Sequence, residues 1–454
     1  MLLQDFPSSR QRIRKRQSQR IRAVYRCLRS CPGFHPLTIN WKILLRLESD
    51  ETDHSNLGCR VPNLAASAIA ILAKRLRVPY TVALVAGGLM LSTLRLPRLS
   101  PLDPGQRPNW LTPDVILIVF LPALVFEGGI KLNVRDLLRN SAPLLLLANL
   151  GVLLAALVTG YLVHWATGLA VEIALLFGAI ISATDPISVL AIFKDLRMDK
   201  RLSLIVEGES LLNDGTAAAL FQIMLAGIIS GHLGVSKGVG QFLFSVLGGA
   251  VLGSFLGYAA SRLTRTIDDA EVQITLTAVV AYGSYLLAYQ LHLSGIIATA
   301  LAGLIVGNLG TTYCSTQTKT ALESFWAYVA FLMNSLVFLL IGLEIHVDAL
   351  LRSWRPALLS VGAVLIGRAL SVYLLVPVSN ALTAKIPLRW QHAIVWGGLR
   401  GALALALALS LDSTFPGRTR VLDLTFGVVV FSILVQGLTV KPLLRVLGLA
   451  NGQV

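Results

Sequence analysis

Apolar runs of about 20 residues recur from about residue 79 almost to the end of the chain. That is the length an α-helix needs to cross a bilayer. Segments at about 79–96, 111–130, 141–165, 170–193, 203–230, 239–263, 270–291, 294–310, 322–347, 355–382, 389–411 and 421–447 fit, and 61–78 fits weakly. The loops between them are short and often end in Gly, Pro, Asp or Asn. The pattern predicts an all-α polytopic membrane protein with about thirteen transmembrane helices, or twelve if the first segment does not span. A transmembrane barrel would show short alternating segments instead.

Composition narrows this further. Of 454 residues, 55% are hydrophobic and 14% charged, against about 25% charged in soluble domains. A soluble domain has essentially no room. The net charge of +15 is unevenly spread: residues 1–46 hold eleven Lys/Arg and one acid, a net +10, which leaves +5 for the rest. Residues 1–60 therefore read as a basic, disordered tail, and 61–447 as the membrane domain. A basic tail beside a bilayer fits anionic lipid and gives no reason to expect nucleic acid. Cys27, Cys31, Cys59 and Cys314 form neither a metal-ligand pattern nor a disulfide framework. The seven histidines sit mainly in the tail or near span ends and read as interfacial.

Lys/Arg bias sets the orientation. Alternate loops beginning with Lys74, Lys131, Lys194, Arg262, Lys319, Lys385 and Lys441 hold 17 basic residues, against 8 in the opposite set. The richer set, and with it the C-terminus, is expected to be cytoplasmic. If the first segment spans, the basic tail lies outside, against the same rule. Arg60, Pro62 and Lys74 interrupt that segment and leave both counts open.

Candidate chemistry lies in charges within the apolar runs. The stretch 207–221 carries Glu207, Glu209 and Asp214, although a carboxylate at mid-membrane costs about 2.5–3.5 kcal/mol. Glu207, Ser210 and Asp214 share one helical face, and Glu209 and Asn213 share the next. A carboxylate beside a hydroxyl offers oxygen ligands to a hard cation. Thr184-Asp185-Pro186 lies in mid-span. Pro186 interrupts helical bonding, and Thr184 or Asp185 can cap a new half-helix beginning there. A simple proline kink is the plainer alternative. Gly397-Gly398-Leu399-Arg400-Gly401 points to a second break, with glycine packing as its alternative. Two such breaks in corresponding halves are the pattern of inverted-repeat transporters with a midplane site. Asp185 and Arg400 would then offset opposite half-helix dipoles. Arg368, alone in its apolar run, needs a partner, and Glu209 is the candidate. Glu127 is either a span-end acid or a site-lining one.

Taken together, Phe126-Glu127-Gly128, Thr184-Asp185-Pro186, the Glu207-to-Asp214 stretch, Ile366-Gly367-Arg368 and Gly397-to-Gly401 resemble the monovalent cation:proton antiporter-1 family, NhaP type, over about residues 64–447. The resemblance implies a homodimer. Elevator-type core helices would lie at about 141–230 and 355–447, and dimerisation helices at about 61–130 and 239–347. It makes Asp214 the cation- and proton-binding carboxylate, with Na+ held at Asp214, Ser210 and Thr184. Asn213 supports the site and Glu127 contributes from the dimerisation side. Asp185, Arg400, Glu209 and Arg368 become structural charges of the core.

The implied function is secondary antiport of Na+ (or Li+) against H+, electroneutral at 1:1, in the plasma (inner) membrane. It needs no cofactor and is not enzymatic. The Asn213-Asp214 pair leaves one titrating group at the exchange position. Oxygen ligands alone do not separate Na+ from K+, so K+/H+ exchange on the same scaffold is an open alternative. A cation channel, the rival from another class, would show filter loops or charge rings, and the sequence has neither.

Overall fold

The computed structural model describes residues 80–93, 116–231, 235–266, 269–344 and 351–449. The basic tail at 1–60 and the weak segment at 61–78 lie outside the described residues. Those described form helices and connecting turns, with no strand among them. In chain order they are α1 (Tyr80–Thr93), α2 (Leu121–Lys131), α3 (Ser141–Thr167), α4 (Val171–Ser182), α5 (Ile187–Asp195), α6 (Lys200–Ser230), α7 (Val235–Leu263), α8 (Ala270–Gln290), α9 (Gly295–Ile305), α10 (Thr316–Glu344), α11 (Trp354–Asn380), α12 (Leu388–Gly397), α13 (Ala402–Leu409) and α14 (Arg418–Val446). Among the described residues, eight helical spans are long and apolar enough to cross a bilayer, counting α4 with α5. The pair α12 and α13, bent by 40°, makes a ninth.

Helix ends fall where the sequence supplies caps. Asp199 accepts the Arg201 amide at 2.7 Å to start α6, and Asp269 accepts the Val272 amide at 2.9 Å to start α8. Gly168 and Gly231 close α3 and α6 with φ of +70°, a left-handed conformation that favours glycine.

Loops with the heavier basic bias meet at one end of the molecule. Arg201 donates to Asn140 Oδ1 at 2.7 Å and to the Lys385 carbonyl at 3.0 Å, joining the starts of α3 and α6 to the loop before α12. Asn308, just past α9, accepts from the Val134 amide at 3.0 Å and donates to the Leu132 carbonyl at 2.8 Å. At the opposite end Arg418 donates to the Leu411 carbonyl at 2.9 Å.

The outer surface is apolar. On α7, Phe244, Val251 and Phe255 point away from the protein, each more than 60% exposed. In water such a stripe would be an anomaly, whereas in a bilayer an apolar outer surface is ordinary. Because lipid tails are as apolar as leucine, helices associate here through close backbone approach. Gly249, Gly253 and Gly257 on α7 press against Ser294, Ala298 and Ala302 around α9. Gly129 of α2 does the same against the Ala300 carbonyl, and Gly88 of α1 against Gly342 of α10.

A side chain at Gly253 would collide with the Ala298 carbonyl group, whereas Gly240 on the same helix has open space around it. Gly253→Leu is expected to destabilise the protein by about 1–3 kcal/mol. A thermal melt in detergent should show a lowered midpoint, with Gly240→Ala at or above wild type.

Candidate functional site

Two spans lose their helical hydrogen bonding in mid-course, at 183–186 between α4 and α5 and at 398–401 between α12 and α13. The two unwound stretches touch: the Asp185 amide donates to the Leu399 carbonyl at 2.7 Å. Each break exposes helix ends that have lost partners, and charged side chains occupy them. The Arg400 guanidinium donates to the carbonyls of Ser182 (2.6 Å) and Ala183 (3.1 Å), closing the carboxyl end of α4. Arg368 of α11 donates to the Ile394 carbonyl at 3.3 Å, near the carboxyl end of α12. Cations belong at these negative ends. Asp185 accepts the Ile187 amide at 2.9 Å, an anion at the positive end of α5. Pro186 holds the N-cap position itself; of the two candidates, Asp185 reaches the first amide of α5, and Thr184 turns to Asn213 and Ser210.

Gly398 and Gly401 are required by this crossing. A Cβ at Gly401 would sit 2.5 Å from the Asp185 carboxylate, and one at Gly398 would sit 2.8 Å from Arg368 Nε. The second break is held from behind by α14. Ser432 Oγ accepts the Arg400 amide at 2.8 Å and donates to Gln436 Oε1 at 2.7 Å. Gln436 in turn donates to the Trp396 carbonyl at 3.2 Å. Ser432–Gln436 is a π-helical turn, a device that re-aims side chains within a helix.

From α6, Glu209 meets Arg368 through two parallel bonds of 2.8 Å, both residues buried. Glu209 Oε1 also accepts from Asn213 Nδ2 at 3.0 Å. The same Asn213 nitrogen donates to Thr184 Oγ1 at 2.6 Å, and the Thr184 amide reaches Asn213 Oδ1 at 3.4 Å. Thr184 and Ser210 share a hydroxyl–hydroxyl bond of 2.9 Å. One chain of contacts thus runs from Arg368 through Glu209 and Asn213 to the Thr184–Ser210 pair.

This chain ends at a cavity of about 350 Å³, whose wall includes Thr184, Asp185, Glu207, Ser210 and Asp214. Asp214 is partly buried. Among the described residues no hydrogen bond or ion pair reaches its carboxylate. On the facing wall, Glu127 of α2 pairs with Lys131 one turn further along.

Every residue singled out in the sequence is therefore at or beside the crossing. Thr184, Ser210, Asp214, Asp185 and Glu127 line the cavity. Asn213, Glu209 and Arg368 stand one layer behind, and Arg400 lies under the first break. Glu207, which motif spacing left without a role, is in the wall as well. Tyr80 and Asn334 line the cavity too, and Ser432 and Gln436 support it. These four were missed, since each lies in an apolar stretch and belongs to no motif. His392 lies near the start of α12, 2.6 Å from the Tyr373 hydroxyl.

Comparison with known proteins identifies the arrangement. The Na(+)/H(+) antiporter NhaG of Bacillus atrophaeus is 41% identical over 390 residues, covering 85% of this chain and 74% of that protein. NhaH of Halobacillus aidingensis is 40% identical over 392 residues, covering 85% and 96%. The solved structure of the sodium proton antiporter MjNhaP1 from Methanocaldococcus jannaschii superposes with a TM-score of 0.71 at 20% identity, covering 86% of this chain and 99% of that one; at this identity it establishes the shared fold. The sequence model described as "Sodium/hydrogen exchanger, transmembrane" matches residues 64–446, so a crossing of two broken helices beside an acid-lined cavity is here the work of a member of the sodium/hydrogen exchanger family.

Proposed function

We propose that this protein exchanges Na+ (or Li+) for H+ across the membrane, one for one, through competition at Asp214. The observation that carries this is the state of that carboxylate: it lines the cavity with the hydroxyls of Thr184 and Ser210, and among the described residues no basic side chain pairs with it. A carboxylate can hold a proton or, with Thr184 and Ser210, a hard cation, but not both together. If the site opens alternately to the two sides, each occupant leaves only by exchange for the other, and the two fluxes couple without ATP. The names of the relatives agree with these substrates. The ions are cargo, and the chemistry calls for no cofactor.

The other charges have supporting roles. Glu209 and Arg368 cancel each other and hold Asn213, which in turn holds Thr184 in place. Asp185 and Arg400 stabilise the broken helices. Glu127 contributes from the α2 side. The moving core is α3–α6 with α11–α14, built as inverted repeats. The remaining helices form the scaffold and dimerisation surface of a homodimer with about thirteen helices per protomer. We assign the basic end, with the C-terminus, to the cytoplasmic side of the plasma membrane.

Four outcomes test this. In proteoliposomes with a trapped pH dye, Na+-dependent proton flux should fall to background in Asp214→Asn; normal flux in that variant would sink the mechanism. At 1:1 exchange, clamping the membrane potential should leave the rate unchanged and no current should accompany turnover. Competing Na+, Li+ and K+ in this assay separates the sodium from the potassium reading. Finally, Glu209→Gln leaves Arg368 buried without its counter-ion. The expected loss is about 3–5 kcal/mol, read as a lowered melting midpoint. The double variant Glu209→Gln/Arg368→Met should recover most of it.

A further inference from the structure

The cavity has one wall that the exchange scheme does not use. α10 lies across it and presents Ala327, Ala330, Phe331 and Asn334. These positions recur at helical spacing, so they form a single face. Three of the four are apolar. Asn334 is the exception, and its environment is unusual: only 7% of it is exposed, and among the described residues nothing hydrogen-bonds to its side chain. A primary amide has an acceptor oxygen and two donor hydrogens, and a buried polar group without partners is costly. Other amides in the protein are satisfied: buried Asn213 has Thr184 and Glu209, and half-buried Asn308 has Leu132 and Leu304. Among the described residues Asn334 has the cavity alone to turn to, the same cavity that Asp214 and Ser210 line.

We propose that Asn334 is a further ligand of the transported cation, supplying a neutral amide oxygen from the α10 side of the cavity. The assignment rests on cation–proton competition at Asp214. It adds a reason for discrimination between the two occupants. A proton needs one carboxylate oxygen and gains nothing from a neutral oxygen across the cavity. A dehydrated Na+ or Li+ needs several oxygens to replace its water shell, as hard cations do. Asn334 therefore strengthens cation binding without strengthening proton binding. It also sets a size preference, because its distance from Asp214 fits some ions better than others.

The test measures half-saturating Na+ and maximal rate separately in proteoliposomes containing the full chain. Asn334→Ala should raise half-saturating Na+ about tenfold, the loss of one contact to a charged group, with the maximal rate retained and the Li+/Na+ preference altered. Asn334→Leu, close in volume and free of polar atoms, should do the same and serves if the alanine variant does not fold. Asn334→Asp, which restores an oxygen, should return half-saturation to the wild-type value or below it. Unchanged half-saturation in both apolar variants, or a lowered maximal rate alone, overturns the assignment. Wild type and Asp214→Asn run in parallel: if wild type shows no Na+-dependent flux, exchange itself has failed. If it does and Asn334 has no effect on half-saturation, only the ligand assignment has failed.

Discussion

A bilayer core offers no water to an unpaired backbone amide or carbonyl, so a helix that unwinds there must find its partners within the protein. This chain unwinds twice, at 183–186 and 398–401, and much of its polar interior answers that constraint. The two stretches partly satisfy each other through the Asp185–Leu399 backbone bond. The remaining ends take Arg400, Arg368 and Asp185, each with the sign that its helix end requires. Ser432 and Gln436 complete the second break from α14. The crossing has to be tight for these bonds to form, which explains glycine at 398 and 401, where a Cβ would strike Arg368 or Asp185.

Charges introduced to repair backbone create a cost of their own, since each is buried. Arg368 is repaid by Glu209, with geometry good enough for two parallel bonds, the condition under which a buried pair is tolerated. Glu209 then has lone pairs to spare, and Asn213 takes one. Asn213 in turn fixes Thr184. The position of a cavity-lining hydroxyl is therefore traceable, bond by bond, to an arginine on another helix that serves a half-helix end. Site and fold are one network here, and substitutions behind the site should disturb the ligands in front of it.

The spans were legible because apolar runs are long and the caps conventional: α6 and α8 begin at the aspartates that accept their first amides. The breaks were legible because proline and clustered glycines do not sit in apolar helices without reason. Periodicity separated the face of Glu207, Ser210 and Asp214 from that of Glu209 and Asn213. What spacing could not do was choose between Thr184 and Asp185 at the start of α5; the fold gives the first amide to Asp185 and turns Thr184 toward Asn213. Nor could it reveal Asn334, Ser432 or Gln436. Each sits in an ordinary apolar span, and its meaning comes from a partner on another helix or from a cavity wall built by other helices. Glu207 had the right face and no partner in sequence; only the cavity shows where that face points.

The charges around the cavity also limit what it can hold. Glu209 is matched by Arg368, Glu127 by Lys131, and Asp185 by the helix end it meets. Among the described residues, no ion pair reaches Asp214, while Glu207 shares the field of Lys131 with Glu127. Glu207 and Asp214 are seven residues apart on one face, about 10 Å along the helix. Walls of low dielectric focus the field of such charges, so the cavity attracts cations along its length. On the proposed reading, Asp214 with the Thr184–Ser210 pair is where a cation exchanges water for protein oxygen. Neutral Asn213 next to it keeps that position from carrying two negative charges. Under the proposed one-for-one exchange, a second carboxylate there would add a second titrating group and change the ratio of the two fluxes.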